Sequence, residues 1–367
     1  MIIKSLELSD YRNYAYLSIT FDGNTNILYG KNAQGKTNIL ESIYMSGTTK
    51  SHRGSRDKEV IRFGQDEAHI KTVIEKDNKE FQIDLHLKKN RSKGIAINKI
   101  PIKKASELFG ILNVIVFSPE DLSIIKNGPK ERRHFIDSEL CQIDKIYLYH
   151  LGLYNRALNQ RNQLLKDCYY KPQLKDTIEV WDDQIIEYGS KLIETREKYV
   201  QNLNHIVNET HNDLTNGREN LIIRYEKNVE IEDYKQVMQA NLQKDLKYGQ
   251  TNAGPHKDDL CFEIDGVDMR KFGSQGQQRT CALSLKLAEI ELVKESIHDQ
   301  PVLLLDDVLS ELDSDRQEAL LRHIHDIQTI MTCTGMDEFI KNRFQIDKIY
   351  RIVNGQVSEG HELAEND

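Results

Sequence analysis

Two stretches of the chain carry residue types that can handle a polyphosphate. Gly30-Lys31-Asn32-Ala33-Gln34-Gly35-Lys36-Thr37 has the spacing G-x-x-x-x-G-K-[ST]. Gly30 and Gly35 permit backbone conformations that a side chain forbids, so the loop amides can close around phosphate oxygens. Lys36 can bring an ammonium to the β- and γ-phosphates, and Thr37 can bring a hydroxyl to a Mg²⁺ bridging them. Far along the chain, Pro301-Val302-Leu303-Leu304-Leu305-Asp306-Asp307 is an apolar run ending in two carboxylates. Asp306 suits the Mg²⁺, directly or through water, and Asp307 suits the orientation of an attacking water. The chemistry implied is ATP binding with hydrolysis, in which Lys36 and Asp307 act on the reacting phosphate.

These residues need particular elements to hold them. Asn26-Ile27-Leu28-Tyr29 suits a buried strand, and Asn38 to Tyr44 has helical spacing with Ile39, Leu40 and Ile43 on one side. The context is therefore strand, glycine loop, helix, and the positive helix N-terminus points at the same oxygens. A strand over 301–307 lying beside the loop strand would bring Asp306 to Thr37. Alternation of Ile3, Leu6 and Leu8, then Leu17, Ile19 and Phe21, predicts half-buried antiparallel strands before the loop. Arg12 and Asn13 sit at the turn between them, either as nucleotide contacts or as a solvated turn. Residues 68–74 and 81–87 alternate likewise, and Leu112–Phe117 reads as a buried strand. Pro129 suits the first turn of a helix. From about 130 to 212 the pattern is helical, with Ile178, Trp181, Ile185, Tyr188, Leu192, Tyr199, Leu203 and Ile206 as a packing stripe and Pro172 as a break. Strands are expected at 221–225, 261–264 and 329–334, and helices at 233–248 and after Arg279. Ser310 is expected to cap the helix after Asp307. The end, Glu359 to Asp367, is polar and expected to fray.

Composition bounds the class. The chain has 367 residues, a net charge of −8, 38% hydrophobic and 29% charged residues, which favours two domains with charged helices. Between Leu85 and Ser106 lie Lys88, Lys89, Arg91, Lys93, Lys99, Lys103 and Lys104 with no acidic residue, a local exception in an acidic chain. That stretch is either a phosphate-tracking patch for nucleic acid or a solvated hairpin tip. The five cysteines are scattered and lack a C-x-x-C pair, which excludes the usual zinc spacings and a disulfide framework and fits a reducing compartment. The start, Met1 to Leu6, has no signal-peptide character, and no apolar run approaches the roughly 20 residues of a membrane span. A cytoplasmic protein without a membrane partner is expected.

The order of these parts resembles the ATP-binding-cassette ATPases of the SMC and Rad50 type. Ser274-Gln275-Gly276-Gln277-Gln278 is similar to that family's signature loop, matching at Ser274, Gly276 and Gln277. A closer resemblance is to the RecF family of bacterial recombination mediators. It is carried by Tyr11-Arg12-Asn13-Tyr14, the loop Gly30 to Thr37 with Asn38 and Leu40-Glu41, Ser51-His52-Arg53, Phe117-Ser118-Pro119-Glu120, Gly254-Pro255-His256-Lys257-Asp258-Asp259, Ser274 to Arg279, and Leu304 to Asp313. The fold this implies is α/β: an ABC-type P-loop ATPase lobe, with a mixed or parallel sheet and N-terminal antiparallel strands, formed by residues 1–120 and 250–367. A mainly α-helical arm over 121–249 is inserted into it, too short for a Rad50-length coiled coil.

The function this resemblance implies is ATP-dependent DNA binding in recombinational repair and replication restart. An ATP-closed homodimer would recognise single-strand gaps or junctions between single- and double-stranded DNA. It would work with RecO- and RecR-type partners to help load RecA, and bear on the SOS response. By position, Ser274 would meet the γ-phosphate held by a second copy, Asp306 the Mg²⁺, Asp307 the water, and Ser310 and Asp313 the dimer loop. Ser118 to Glu120 would stand where transporters have a glutamine loop. Two departures are notable. Transport cassettes have Glu where Asp307 stands, and the shorter Asp fits slow hydrolysis. They also have a switch His where this chain has Thr332, Cys333 and Thr334, while His323 and His325 precede that strand. Two other classes compete with the DNA switch: a cassette ATPase gripping a protein, which the Lys88–Lys104 stretch argues against, and a nuclease regulated by the ATPase, which lacks a separate metal-carboxylate domain.

Overall fold

A computed structural model describes residues 1–335 and 345–360. In chain order the elements open with β1 (Ile2–Tyr11), β2 (Tyr14–Thr20), β3 (Thr25–Tyr29), α1 (Lys36–Thr48) and α2 (Asp57–Val60). β4 (Glu67–Lys76), β5 (Lys79–Lys88), β6 (Gly94–Ile97), β7 (Ile100–Pro101) and β8 (Val114–Phe117) follow. Then come α3 (Leu122–Lys126), α4 (Pro129–Ile143), α5 (Lys145–Asp167), α6 (Ile178–Thr215), β9 (Leu221–Glu226) and α7 (Tyr234–Tyr248). The chain continues through β10 (Asp259–Ile264), β11 (Val267–Asp268), α8 (Met269–Phe272) and α9 (Gln275–Ile297). It ends with β12 (Val302–Asp306), α10 (Ser314–Ile324), β13 (Thr329–Cys333), β14 (Ile346–Val353) and β15 (Gln356–Glu359).

The chain divides into two compact units, Met1–Asp121 with Glu289–Asp367, and Leu122–Ala288. The first unit has two six-stranded sheets. One is antiparallel, ordered β2-β1-β4-β5-β6-β7, and β1, β4 and β5 largely alternate buried and half-buried residues, as a sheet with one face on the core does. The other is ordered β15-β14-β3-β13-β12-β8 and is parallel except at β15. Its strands VIVF, VLLLD and TIMTC are buried throughout, the pattern of a sheet covered on both faces. One core joins Leu6, Leu8, Ile70 and Leu85 of the antiparallel sheet, Ile39, Leu40 and Ile43 of α1, and Leu28, Val116 and Leu304 of the parallel sheet.

Strand order corrects one expectation. β12 is not beside β3: β13 lies between them, pairing Thr332 with Leu28 on one side and with Asp306 on the other. The three strands run parallel, so their C-terminal ends still share one edge of the sheet. A second correction concerns α10, whose cap is Asp313, accepting from the Arg316 amide at 3.0 Å, and not Ser310. Ser310 lies in a 3-10 turn and donates to the Asp307 carbonyl at 2.8 Å. Glu359, expected to fray, closes β15 opposite Tyr350, and the rest of that polar end, from residue 361, lies outside the described residues.

In the second unit α5 and α6 run antiparallel, α6 reaching 38 residues or about 57 Å. Pro172 does separate them, opening a 3-10 turn over Pro172–Thr177. β9, β10 and β11 form a small antiparallel sheet. This compact unit runs on to Ala288, past the 249/250 boundary expected for the helical arm, and β10 pairs with β9 along its whole length. Buried charges bind the Gly254–Asp259 loop to the helices. Arg196 donates to Tyr147 Oη (2.9 Å), the Pro255 carbonyl (2.7 Å) and Asp137 (2.7 Å), and Asp258 lies 3.2 Å away. Arg161 pairs with Asp182 and Asp245 and donates to Thr251 Oγ1. No described helix is long and apolar enough to cross a membrane.

Candidate functional site

The loop after β3 makes a reversal that only small residues allow. Gly30 has φ 155° and Gly35 φ 112°, and Ala33 also takes a positive φ of 64°. A Cβ on Gly30 would stand 2.3 Å from the Ile352 carbonyl oxygen of β14, so glycine is required by a neighbouring strand as well as by the turn. Gly35 is the N-cap of α1 and offers no side chain to its amides, leaving the helix N-terminus open to an anion. Tyr14 Oη donates to the Gly35 carbonyl and Asn13 Nδ2 to the Gln34 carbonyl, fastening the loop to the β1–β2 turn.

A cleft opens at this edge of the parallel sheet. Its walls are the loop from Asn32 to Asn38, joined by Arg53, Asp306, Asp307 and Thr332. Lys36 is 6% exposed and its Nζ donates to the Gly30 and Lys31 carbonyls at 2.5 and 3.0 Å. Burial lowers the Lys36 pKa, with Asp307, Cys333 and Asp306 opposing the shift. Thr37 Oγ1 donates to Asp306 Oδ1 at 2.9 Å, and Thr332 Oγ1 donates to the same oxygen at 2.8 Å. Thr332 in turn accepts from the Asp307 amide at 3.0 Å. Asp307 itself sits at φ 55°, a left-handed conformation that costs about 1 kcal/mol or more.

The donor set fits a small hard cation with a polyphosphate. A hydroxyl and a carboxylate oxygen already meet at hydrogen-bond distance, and Mg²⁺ takes few protein ligands beside phosphate and water oxygens. The lysine, the open helix end and the glycine loop match the polyphosphate.

Of the expected nucleotide contacts, residues 32–38 line the cleft, with Gly30 and Lys31 accepting from Lys36 at its edge. Arg12 does not line it. Its guanidinium grips Glu41 through two hydrogen bonds of 2.8 and 2.6 Å and also holds Ser55. Burial pushes the Glu41 carboxyl up, but Arg12 and Ser51 outweigh burial and hold it below its ordinary value. Asn13 supports the loop through Gln34 and accepts from Asn38 at 2.8 Å. Arg53, which belongs to the Ser51-His52-Arg53 stretch of the family resemblance, adds a basic group to the cleft wall. Thr332, standing where a switch histidine was sought, is instead tied to both carboxylate residues.

In the second unit, Ser274 and Gln277 form a capping box at the start of α9. Ser274 Oγ accepts from the Gln277 amide at 3.2 Å, Gln277 Oε1 accepts from the Ser274 amide at 3.1 Å, and Gln277 Nε2 donates to Glu219 at 2.9 Å. Ser274 and Gly276 remain exposed. Asp313 accepts from the Arg316 guanidinium at 2.7 Å. The basic stretch is partly neutralised by acids from elsewhere: Lys88 faces Glu67, Lys89 faces Asp66, and Lys93 pairs with Asp57 at 3.0 Å and donates to the Thr49 carbonyl. Arg91, Lys99, Lys103 and Lys104 form no ion pair among the described residues.

Comparison with known proteins places the chain in a family. The family model of the RecF/RecN/SMC N-terminal domain matches residues 2–358. A DNA replication and repair protein RecF of Agathobacter rectalis is 62% identical over 97% of this chain and 99% of its own length. One from Clostridium botulinum is 45% identical, over 97% of this chain and 99% of its own. A solved structure of the recombination mediator protein RecF with ATP, in the RecFOR pathway, is 34% identical with a TM-score of 0.90, covering 98% of this chain and 97% of that one. From sequence, fold and relatives alike, the chain belongs to the RecF family, within the superfamily of SMC and ABC-type ATPases.

Proposed function

We propose that this protein is an ATP-driven switch that closes as a homodimer on DNA during replication and repair. A role in DNA replication and repair follows from its family. The observation that best supports the ATP reading is the meeting of Thr37 with Asp306 beside Lys36, at the edge where the glycine loop and the open end of α1 converge. Lys36 leaves the loop carbonyls to hold the β- and γ-phosphates, and Thr37 with Asp306 holds Mg²⁺. Mg²⁺ supplies charge neutralisation between those phosphates. Asp307, fixed through its amide by Thr332, orients the attacking water, and its short side chain suits slow turnover. Ser274 and Gly276 of one copy meet the γ-phosphate held by the other, and Ser310 and Asp313 belong to the dimer loop. Hydrolysis then reopens the clamp. Single-strand gaps and junctions are the proposed DNA, RecO- and RecR-type proteins the proposed partners, and RecA loading and SOS induction the proposed outcome in the cytoplasm.

A second reading, a switch gripping a protein, is favoured by the acids that occupy Lys88, Lys89 and Lys93. Sedimentation with and without ATP-Mg²⁺, each with and without gapped duplex, separates the two. Dimers that form with ATP and carry DNA support the clamp. Dimers that never carry DNA support the second reading. Nucleotide-driven dimers that persist in Lys36→Ala overturn the site.

A further inference from the structure

We propose that the end of the helical unit where α5 turns into α6 is a contact site for single-stranded nucleic acid. This inference rests on the DNA-binding reading above and adds a surface to it. Three tyrosines stand out from that end: Tyr169 is 82% exposed, Tyr170 81% and Tyr248 59%. Side chains of this size are normally covered, and three together at one place are unusual in a charged helical surface.

Packing brings them together. Leu165, Cys168 and Ile178 form a small core with Leu164, Leu174, Leu242 and Leu246, which joins the turn to the last turns of α7. α7 ends in Gly249 at φ 62°, where an added Cβ would lie 2.8 Å from the Lys166 side chain. Tyr248 is thereby held against α5, a few residues before Tyr169. The rings of Tyr169 and Tyr170 stand edge to face at 5.1 Å, so they cannot stack on each other and each leaves a face open.

Charge around them is one-sided. Lys166, Lys171, Lys175, Lys244 and Lys247 are all exposed, and none forms an ion pair among the described residues. Elsewhere in the same unit lysines find acids, as Lys191 does with Glu187 and Lys227 with Glu197. Within 166–175 and 244–248 the acidic residues are Asp167 and Asp245, and Asp245 is buried against Arg161; Asp176 and Glu179 follow just beyond. Lys247 already lies over the Tyr248 ring at 5.4 Å, so cation and ring act at one spot.

Exposed aromatic faces interleaved with unpaired lysines are the chemistry that holds single strands: bases stack on the rings without sequence preference, and ammonium groups track the phosphates. A duplex presents no free base face, so the site discriminates against it.

The test uses the full chain with ATP-Mg²⁺ and a labelled oligothymidylate of roughly 30 nucleotides, several times the span one such patch covers. The variant is Tyr169→Ala/Tyr170→Ala/Tyr248→Ala, whose replaced rings are solvent-facing. Its circular dichroism and ATP-dependent dimerisation are expected to be unchanged. Affinity for the single strand is expected to fall about tenfold or more, and affinity for blunt duplex to change little. Lys171→Glu/Lys247→Glu is expected to flatten the salt dependence of single-strand binding. Equal single-strand affinity in wild type and the tyrosine variant overturns the inference and marks the patch as a protein contact. Wild-type protein that binds no DNA in any form overturns the DNA reading itself and the inference with it. Equal losses for single strand and duplex also overturn it, since stacking distinguishes the two.

Discussion

Thr37 Oγ1 and Asp306 Oδ1, 269 positions apart in the chain, meet at 2.9 Å. The loop thereby presents a hydroxyl and a carboxylate as one cation-binding edge before any metal arrives. Asp306→Asn removes the negative charge while keeping the acceptor for Thr37 and Thr332. Its expected effect is to abolish the Mg²⁺ dependence of ATP affinity, weakening ATP-Mg²⁺ by about tenfold, or about 1.4 kcal/mol, while thermal stability stays near wild type. Calorimetric titration with ATP, with and without Mg²⁺, reads this directly. An unchanged response to Mg²⁺ would place the metal elsewhere.

Gly30→Ala tests the contact between the loop and β14. The new methyl would lie 2.3 Å from the Ile352 carbonyl oxygen, a backbone atom that moves only with the strand. The expected cost is about 2 kcal/mol or more, seen as a lower Tm together with lost nucleotide binding. A variant of wild-type Tm would show that the loop relaxes without the strand.

Ser274 carries two roles that chemistry can separate. Its hydroxyl caps α9 through the Gln277 amide, and the same exposed hydroxyl is proposed to meet a γ-phosphate. Ser274→Asp keeps a good cap but places a negative charge against phosphate, so stability should hold and ATP binding persist while nucleotide-driven dimers disappear. Ser274→Ala should lose about 1 kcal/mol of stability from the missing cap. Sedimentation velocity and thermal unfolding of both variants decide. Dimers of wild-type strength in Ser274→Asp would remove Ser274 from the interface.

His256 gives the helical unit a pH signature. Burial pushes its pKa down to about 4, from an ordinary 6.5, with Lys257, Arg133 and Arg196 adding repulsion. Nε2 donates to the Thr251 carbonyl at 3.0 Å, so Nδ1 accepts from Tyr154 Oη at 2.6 Å and the ring is neutral. Above its unfolded pKa neither state binds the proton. As pH falls through 6.5 toward 4, the unfolded chain takes up a proton that the folded chain refuses, so stability falls by up to about 1.4 kcal/mol per pH unit and about 3 kcal/mol in all. His256→Gln should flatten this slope in urea unfolding followed between about pH 4.5 and 7.5. A wild-type slope in the variant would assign the loss to other groups.

What the sequence by itself determined is local. The glycine loop is eight contiguous residues, and its strand and helix lie on either side, so spacing was enough to place Lys36 and Thr37. Uniformly apolar runs such as Val302–Leu305 declared buried strands, and the threes-and-fours stripe declared α6. Each of these signals acts over a few residues, the range over which backbone preference and side-chain periodicity operate.

Neighbour order was decided only by the tertiary structure. Thr329–Cys333 and Val302–Asp306 are both apolar and both buried, so nothing in either run says which one pairs with β3. Packing puts β13 there, and with it Thr332 between the two carboxylate residues and the loop. The choice between Ser310 and Asp313 as a cap was likewise set at a distance. Both are good capping types, but burial of Leu309 and the bond from Gln317 to its carbonyl hold a 3-10 turn there and delay the helix to Asp313. The need for glycine at position 30 comes partly from Ile352, and the fate of Arg12 from Glu41. The same holds for Lys93, whose sign is written in the chain but whose partner, Asp57, reaches it only once α2 and the antiparallel sheet have packed. Charge and shape are properties of a residue. Which charges are spent and which faces stay open are properties of contacts between distant segments, and only the folded chain creates them.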